Sequence, residues 1–319
     1  MIINILLLLV GLVILVKGAD FLVDGASALA KKYRISDLAI GLTIVAFGTS
    51  APELVVNLFA SAENHPEIVF GNIIGSNLFN LFAILGITGL IMPITVQSST
   101  VWKEIPISFA AIVLLFLVGN DFGFETQIVS RFDGAFLLLC FFGFLWYVYK
   151  QLKTDTKSVD SSEKFESKLP TWKIYNFMGV GLAGLILGGK LVVDSAVEIA
   201  RLLEISETIV GLTIVAAGTS LPELATSIVA ALKKNNDIAV GNIIGSNIFN
   251  IFLIIGVSST IRPLNYITSF NFDLAIVAIG TLLLFLAMFV GGKKKLDRWE
   301  ALLLLLAYLG YVAYLLTKI

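Results

Sequence analysis

The sequence predicts an all-α multi-pass membrane protein, with ten transmembrane helices arranged as two inverted five-helix repeats. Three observations carry this expectation. Hydrophobic residues make up 57% of the 319 and charged residues only 14%, with a mean hydropathy of +0.94. A soluble domain holds about 45–50% apolar and about 25% charged residues, so this chain has too little charge to cover a water-facing surface. Apolar runs of helical length recur from end to end, and much of the first half returns in the second at an offset of 170 residues. The net charge of -1 excludes a basic nucleic-acid binder, and the one cysteine, Cys140, has no partner for an internal disulfide.

Taken in order, the spans fall near 2–19, 38–62, 67–91, 104–119, 132–150, 174–196, 207–232, 237–261, 272–291 and 299–317. About 20 apolar residues in a helix cross about 30 Å of hydrocarbon. Lipid offers backbone groups no partner, so these runs read as helices. No positive residue precedes the first run, and it has a counterpart in the second half, so it reads as a span and not a cleaved signal. The polar, Ser-rich stretch 151–171 reads as a cytoplasmic linker between halves 1–150 and 172–319. With the N-terminus outside, 17 of the 22 Lys and Arg residues fall on the inner side; Arg131, Lys190, Arg201, Arg262 and Lys318 fall outside. This bias places the protein in the cell membrane with both termini extracellular or periplasmic and the central loop cytoplasmic.

The repeat is close. Residues 41–54, GLTIVAFGTSAPEL, return as GLTIVAAGTSLPEL at 211–224, and GNIIGSNLFN at 71–80 returns as GNIIGSNIFN at 241–250. Five spans per half is an odd number, so the second half crosses the membrane in the opposite sense. Such repeats, related by an axis in the membrane plane, mark secondary transporters whose site lies at the repeat interface near the midplane.

The repeated blocks carry the polar residues. Glu53 and Glu223 lie within apolar spans at equivalent depths; a carboxylate there costs at least about 2.5–3.5 kcal/mol and needs an offsetting interaction. Pro52 and Pro222 lack an N–H for the carbonyls of Gly48 and Gly218. Carbonyls around Ala46–Thr49 and Ala216–Thr219 are therefore expected to face a cavity, beside the hydroxyls of Thr49, Ser50, Thr219 and Ser220. Asn72, Ser76 and Asn80 share one helix face at i, i+4, i+8, and Asn242, Ser246 and Asn250 repeat that stripe. Asn72 and Asn242 are expected to bridge helices. Asn77 and Asn247 lie off the stripe and are expected to bond to a neighbouring helix or cap a bend. Gly71-x-x-x-Gly75 and Gly241-x-x-x-Gly245 are expected to let helices approach closely. Every candidate ligand is an oxygen donor, the set that Na⁺ and Ca²⁺ prefer. His65 reads as a solvated loop residue and Cys140 as a small apolar one. Asp24 and Asp194 read as caps or local ion pairs.

The paired GTSxPE and GNxxGSNxFN segments resemble the two alpha-repeats of the cation/Ca²⁺ exchanger superfamily, and most closely its prokaryotic sodium/calcium exchangers. The likeness covers nearly the whole chain. It implies a core of spans 2, 3, 7 and 8 holding four cation subsites, over which spans 1 and 6 slide. It implies Ca²⁺ ligation by Glu53 and Glu223 with the carbonyls of Thr49 and Thr219. It further implies Na⁺ sites using Ala46, Ser50, Ser76, Ala216, Ser220 and Ser246, with Asn80 and Asn250 in the remaining central positions. The chain departs from well-studied exchangers at Asn250, where they carry Asp, so its site bears a formal charge of about -2 instead of -3. The function implied is secondary active exchange of Na⁺ for Ca²⁺, with no cofactor, no enzymatic activity and no obligatory protein partner; its partners are the two ions and the bilayer. An H⁺/Ca²⁺ antiporter is the nearest alternative, but such relatives typically place Glu where this chain has Gly75 and Gly245. A cation channel is the more distant one.

Overall fold

The computed structural model describes residues 2–121, 127–158, 169–203, 216–290 and 294–317. The described chain is mostly helix. Among the described residues, eight helices are long and apolar enough to cross a membrane, and one further pair does so jointly around a sharp bend.

The first helix, α1, runs unbroken over Ile2–Tyr33, well past the span expected at 2–19. No proline or turn signal interrupts Ala19–Ala30, and alanine is the strongest helix former. At 1.5 Å per residue it is about 48 Å long, longer than the hydrocarbon layer. A short turn leads to α2 (Asp37–Thr49), which meets α3 (Ala51–Ala62) at 49°. Pro52 stands in the first turn of α3, where its missing N–H leaves no bond unmade. Then follow α4 (Pro66–Ile91), α5 (Thr100–Gly119) and α6 (Arg131–Ser158). Helix α6 runs on into the stretch expected as a linker: residues 151–158 continue the helix, Gln-Leu-Lys-Thr presenting no breaker. The rest of that stretch up to 168 lies outside the described residues.

The described residues of the second half follow a similar order. Helix α7 spans Thr171–Leu202. After 204–215, which are outside the described residues, come a short helical turn at Ala216–Gly218 and α8 (Leu221–Leu232). Helices α9 (Asn236–Ile261), α10 (Phe270–Ala287) and α11 (Arg298–Leu316) complete the chain.

Two ladders were not legible beforehand. β1 (Ile94–Thr95) pairs antiparallel with β4 (Lys295–Leu296), and β2 (Ile128–Val129) with β3 (Leu264–Asn265). Pro93 and Pro263 explain where β1 and β3 begin. A residue before proline is pushed out of the helical region, and Met92 and Arg262 are both extended, at φ -145°.

Burial sorts the helices. In an apolar 18-residue stretch of α9 94% of residues are buried and in one of α4 78%, against 22% in such a stretch of α1 and 17% in one of α11. Helices α4 and α9 therefore form the centre, while α1, α6, α10 and α11 turn large apolar side chains such as Leu9, Phe136, Leu283 and Leu306 outward. The core has two parts. One is built on α4, α9 and their outer neighbours. The other joins α1 and α7 to α2 and α8 through Leu15, Leu22, Ile40, Val45, Leu185 and Val229.

Helices α1 and α7 lie antiparallel in near-contact of their backbones. A Cβ on Gly18 would sit 2.6 Å from the Leu185 nitrogen, and one on Gly181 would sit 2.6 Å from that of Leu22. Glycine is required there. Lys233, in the turn after α8, ties α1 to the rest of the molecule, pairing with Asp20 at 2.5 Å and Asp24 at 2.7 Å; Asp24 is thus in an ion pair, though with the other half of the chain and not a local one.

Gly241 and Gly245 allow α9 to approach α2, a Cβ at Gly245 falling 2.8 Å from that of Ala46. Gly71 and Gly75 do not have such a neighbour among the described residues: Gly71 meets only the Phe270 ring at 3.7 Å, and Gly75 nothing within 4 Å. Residues 208–215, equivalent in the repeat to the α2 segment that Gly241 and Gly245 meet, lie outside those residues.

Candidate functional site

The two helix breaks set the centre. Ser50 and Ser220 are the non-helical residues from which α3 and α8 start, so Glu53 and Glu223 each fall in the first turn of a helix. The positive end of a helix dipole favours a carboxylate there. Both glutamates are 1% exposed.

The halves interlock crosswise. The Ser50 hydroxyl donates to Glu223 Oε1 at 2.8 Å and lies 3.0 Å from the Ser246 hydroxyl. Reciprocally, the Ser220 hydroxyl donates to Glu53 Oε1 at 3.0 Å and lies 3.1 Å from that of Ser76. Thr49 Oγ1 donates to Asn242 Oδ1 at 2.9 Å, and Thr219 Oγ1 to Asn72 Oδ1 at 3.2 Å. Asn72 and Asn242 therefore bridge helices, as their positions suggested. Farther along α4 and α9, Asn80 Nδ2 donates to Asn247 Oδ1 at 3.1 Å and Asn250 Nδ2 to Asn77 Oδ1 at 2.9 Å.

Each carboxylate keeps one oxygen back. Glu53 Oε2, Glu223 Oε2, Asn80 Oδ1 and Asn250 Oδ1 are buried and have no hydrogen-bond partner. A buried polar atom without a partner forfeits about 1–3 kcal/mol, more for a charged group. Four acceptors in two symmetric pairs, two of them carboxylate, match the chemistry of a hard cation. Among the described residues no three His, Cys, Asp or Glu side chains gather as a metal cluster, so charge is confined to the two glutamates and neutral oxygens supply the rest.

The structure thus brings Thr49, Ser50, Glu53, Ser76, Asn80, Thr219, Ser220, Glu223, Ser246 and Asn250 into one hydrogen-bonded centre or its immediate flank. Ala46 differs from expectation. Its carbonyl accepts the Ser50 N–H at 3.0 Å and lies 3.3 Å from the Thr49 hydroxyl, whose one proton goes to Asn242, because the helix persists to Thr49 before it breaks. Ala216 begins the short helical turn before Ser220; its side chain is outside the described ones.

Some contributors were missed in the sequence. Asn57 is fully buried and donates to the Glu53 main-chain carbonyl at 2.6 Å, and Ser227, at the equivalent position, lies 3.1 Å from the Asn242 amide nitrogen. Their signal was a polar residue four positions after each glutamate. The π-helical turns at Phe79–Ile84 and Asn250–Ile255 left no signal at all. Such turns are frequent at functional sites, and here they contain Asn80 and Asn250. His65 is outside the centre, half-exposed, 3.4 Å from the Glu67 carboxylate.

Apolar helices around a buried, oxygen-lined centre with two carboxylates define an integral membrane protein. The chain belongs to the sodium/calcium exchanger protein family, whose model matches residues 3–150 and 174–317. It is 38% identical to Putative antiporter CaxA of Alkalimonas amylolytica, across 98% of each chain. It is 32% identical to Sodium/calcium exchanger MaX1 of Methanosarcina acetivorans, again across 98% of each. Among solved structures it resembles the sodium-calcium exchanger NCX_Mj soaked with 10 mM Na⁺ and zero Ca²⁺, with a TM-score of 0.83 and 32% identity over 98% of each chain.

Proposed function

We propose that this exchanger is a secondary active antiporter in which Na⁺ and Ca²⁺ compete for one seat around Glu53 and Glu223, exposed to each side of the membrane in turn. The observation that carries the reading is the set of four partnerless buried oxygens, two carboxylate and two amide. Hard cations satisfy such a set; an anion would be repelled by it.

The assigned ligands are the side chains of Thr49, Ser50, Glu53, Ser76, Asn80, Thr219, Ser220, Glu223, Ser246 and Asn250, with main-chain carbonyls of Ala46, Thr49, Ala216 and Thr219. A carbonyl oxygen has two lone pairs, so the Ala46 carbonyl can serve an ion while bonded within its helix. The architecture assigned is ten spans in two inverted halves, 1–150 and 172–319, both termini outside. The reciprocal bonds Ser50–Glu223 and Ser220–Glu53 support this reading, since a two-fold relation between halves makes such contacts come in pairs.

Coupling follows from electrostatics. Two empty, facing carboxylates cannot cross a closed, dehydrated state cheaply, whereas a loaded site hides its charge. The site therefore switches sides only when occupied. Proteoliposomes test this: an outward Na⁺ gradient should drive Ca²⁺ uptake, and its collapse should stop it. Uptake that ignores Na⁺ but follows a pH gradient would make the driving ion H⁺.

A further inference from the structure

The orphaned amide oxygens of Asn80 and Asn250 belong to amides held by Asn247 and Asn77, two residues outside the assigned ligand set. Asn77 Nδ2 donates to the main-chain carbonyl of Asn247 at 3.4 Å. A carbonyl only accepts, so this contact commits the nitrogen end of the Asn77 amide and leaves its oxygen facing Asn250. Asn250 must answer with its own nitrogen, at 2.9 Å. Its oxygen is thereby turned the other way, buried and partnerless. On the mirrored side Asn247 Oδ1 takes the Asn80 nitrogen at 3.1 Å, and Asn80 Oδ1 is left in the same state. Asn77 is 2% exposed and Asn247 3%, so water does not compete for these bonds. All four amides lie where α4 and α9 cross, immediately before or at the start of the two π-helical turns.

We infer that Asn77 and Asn247 are positioning residues, holding the Asn250 and Asn80 amides with oxygen toward the cations and nitrogen away. This rests on the proposed seat around Glu53 and Glu223. An amide allowed to turn over would present N–H to a cation and repel it, so holding one face matters as much as having the residue. The same clasp specifies amide over acid at position 250. A carboxylate there would set an oxygen against Asn77 Oδ1, and relief would require Asn77 to turn and abandon the Asn247 carbonyl.

A double-substitution experiment reads this directly, using Na⁺-driven Ca²⁺ uptake by the full-length protein in liposomes. Asn77→Ala frees the Asn250 amide and should raise the KM for Ca²⁺ at least tenfold with a smaller effect on kcat. Adding Asn250→Asp should bring KM back to within a few-fold of the parent, because both ends of a carboxylate are oxygen and need no aiming. Asn250→Asp alone should weaken Ca²⁺ binding, so one substitution changes sign with its neighbour. A merely structural role does not give that reversal. A KM unchanged by Asn77→Ala, or a double variant no better than the single, overturns the inference. Asn247→Ala with Asn80→Asp repeats the test on the other side should the void at 77 prevent folding. If the parent exchanges while Glu53→Gln does not, the seat stands and a failed reversal counts against the clasp alone.

Discussion

Ser50 and Ser220 sit at the breaks before α3 and α8, yet each hydroxyl serves the glutamate of the opposite half. A hydrogen bond to a charged group contributes about 1.5–3 kcal/mol. It also holds the carboxylate so that Oε2, not Oε1, stays partnerless. Ser50→Ala should therefore weaken Ca²⁺ binding about 10–100-fold, since about 1.4 kcal/mol is tenfold. Ser220→Ala should match it, and titration calorimetry in detergent is the check. Unequal losses would show that the halves contribute unequally. None of this pairing was readable beforehand. The offset of 170 says that Ser50 and Ser220 are equivalent; it does not say that Ser50 meets Glu223. The residue types were readable, because carboxylates, amides and hydroxyls stand out in apolar spans where each is costly.

At the scale of helices, the pair α1–α7 depends on backbone contact. Residues equivalent in chemistry but different in surroundings separate this from helix propensity. Gly18→Ala places a Cβ 2.6 Å from the Leu185 nitrogen, whereas Gly179→Ala meets nothing within 4 Å. Overpacking of this kind costs about 1–3 kcal/mol, while alanine in an open helix position gains about 0.5–1 kcal/mol over glycine. Thermal unfolding in detergent should show a lower midpoint for Gly18→Ala and an unchanged or higher one for Gly179→Ala. Elements were readable where punctuation was strong: Pro52 and Pro222 mark a bend, Pro66 a helix start, and Pro93 and Pro263 a helix end. They were unreadable where it was absent. Nothing between Lys17 and Tyr33 stops α1, and nothing in FNLFAI or NIFLII announces a π-helical turn. The two ladders are each two residues per strand, too short for any alternation to register.

Over the whole molecule, the centre carries two formal negative charges, Glu53 and Glu223, with Asn250 neutral. One Ca²⁺ balances them, and so do two Na⁺. A cycle exchanging these loads moves no net charge, while each net charge moved would be worth about 2.3 kcal/mol per 100 mV. Na⁺-driven Ca²⁺ flux should thus change little when a K⁺ diffusion potential is imposed with valinomycin; a steep dependence would mean an extra cation rides along. The family relation and the repeat were legible because long blocks return almost unaltered. The clasp of Asn77 and Asn247 was not, since hydrogen-bond direction depends on which amide end faces which carbonyl. The most direct test of the shared seat is Ca²⁺ binding measured by calorimetry at increasing Na⁺, in the parent and in Glu53→Gln and Glu223→Gln. The seat predicts that Na⁺ raises the apparent Kd for Ca²⁺ competitively and that either variant loses binding. Ca²⁺ binding indifferent to Na⁺, or surviving both substitutions, would contradict it.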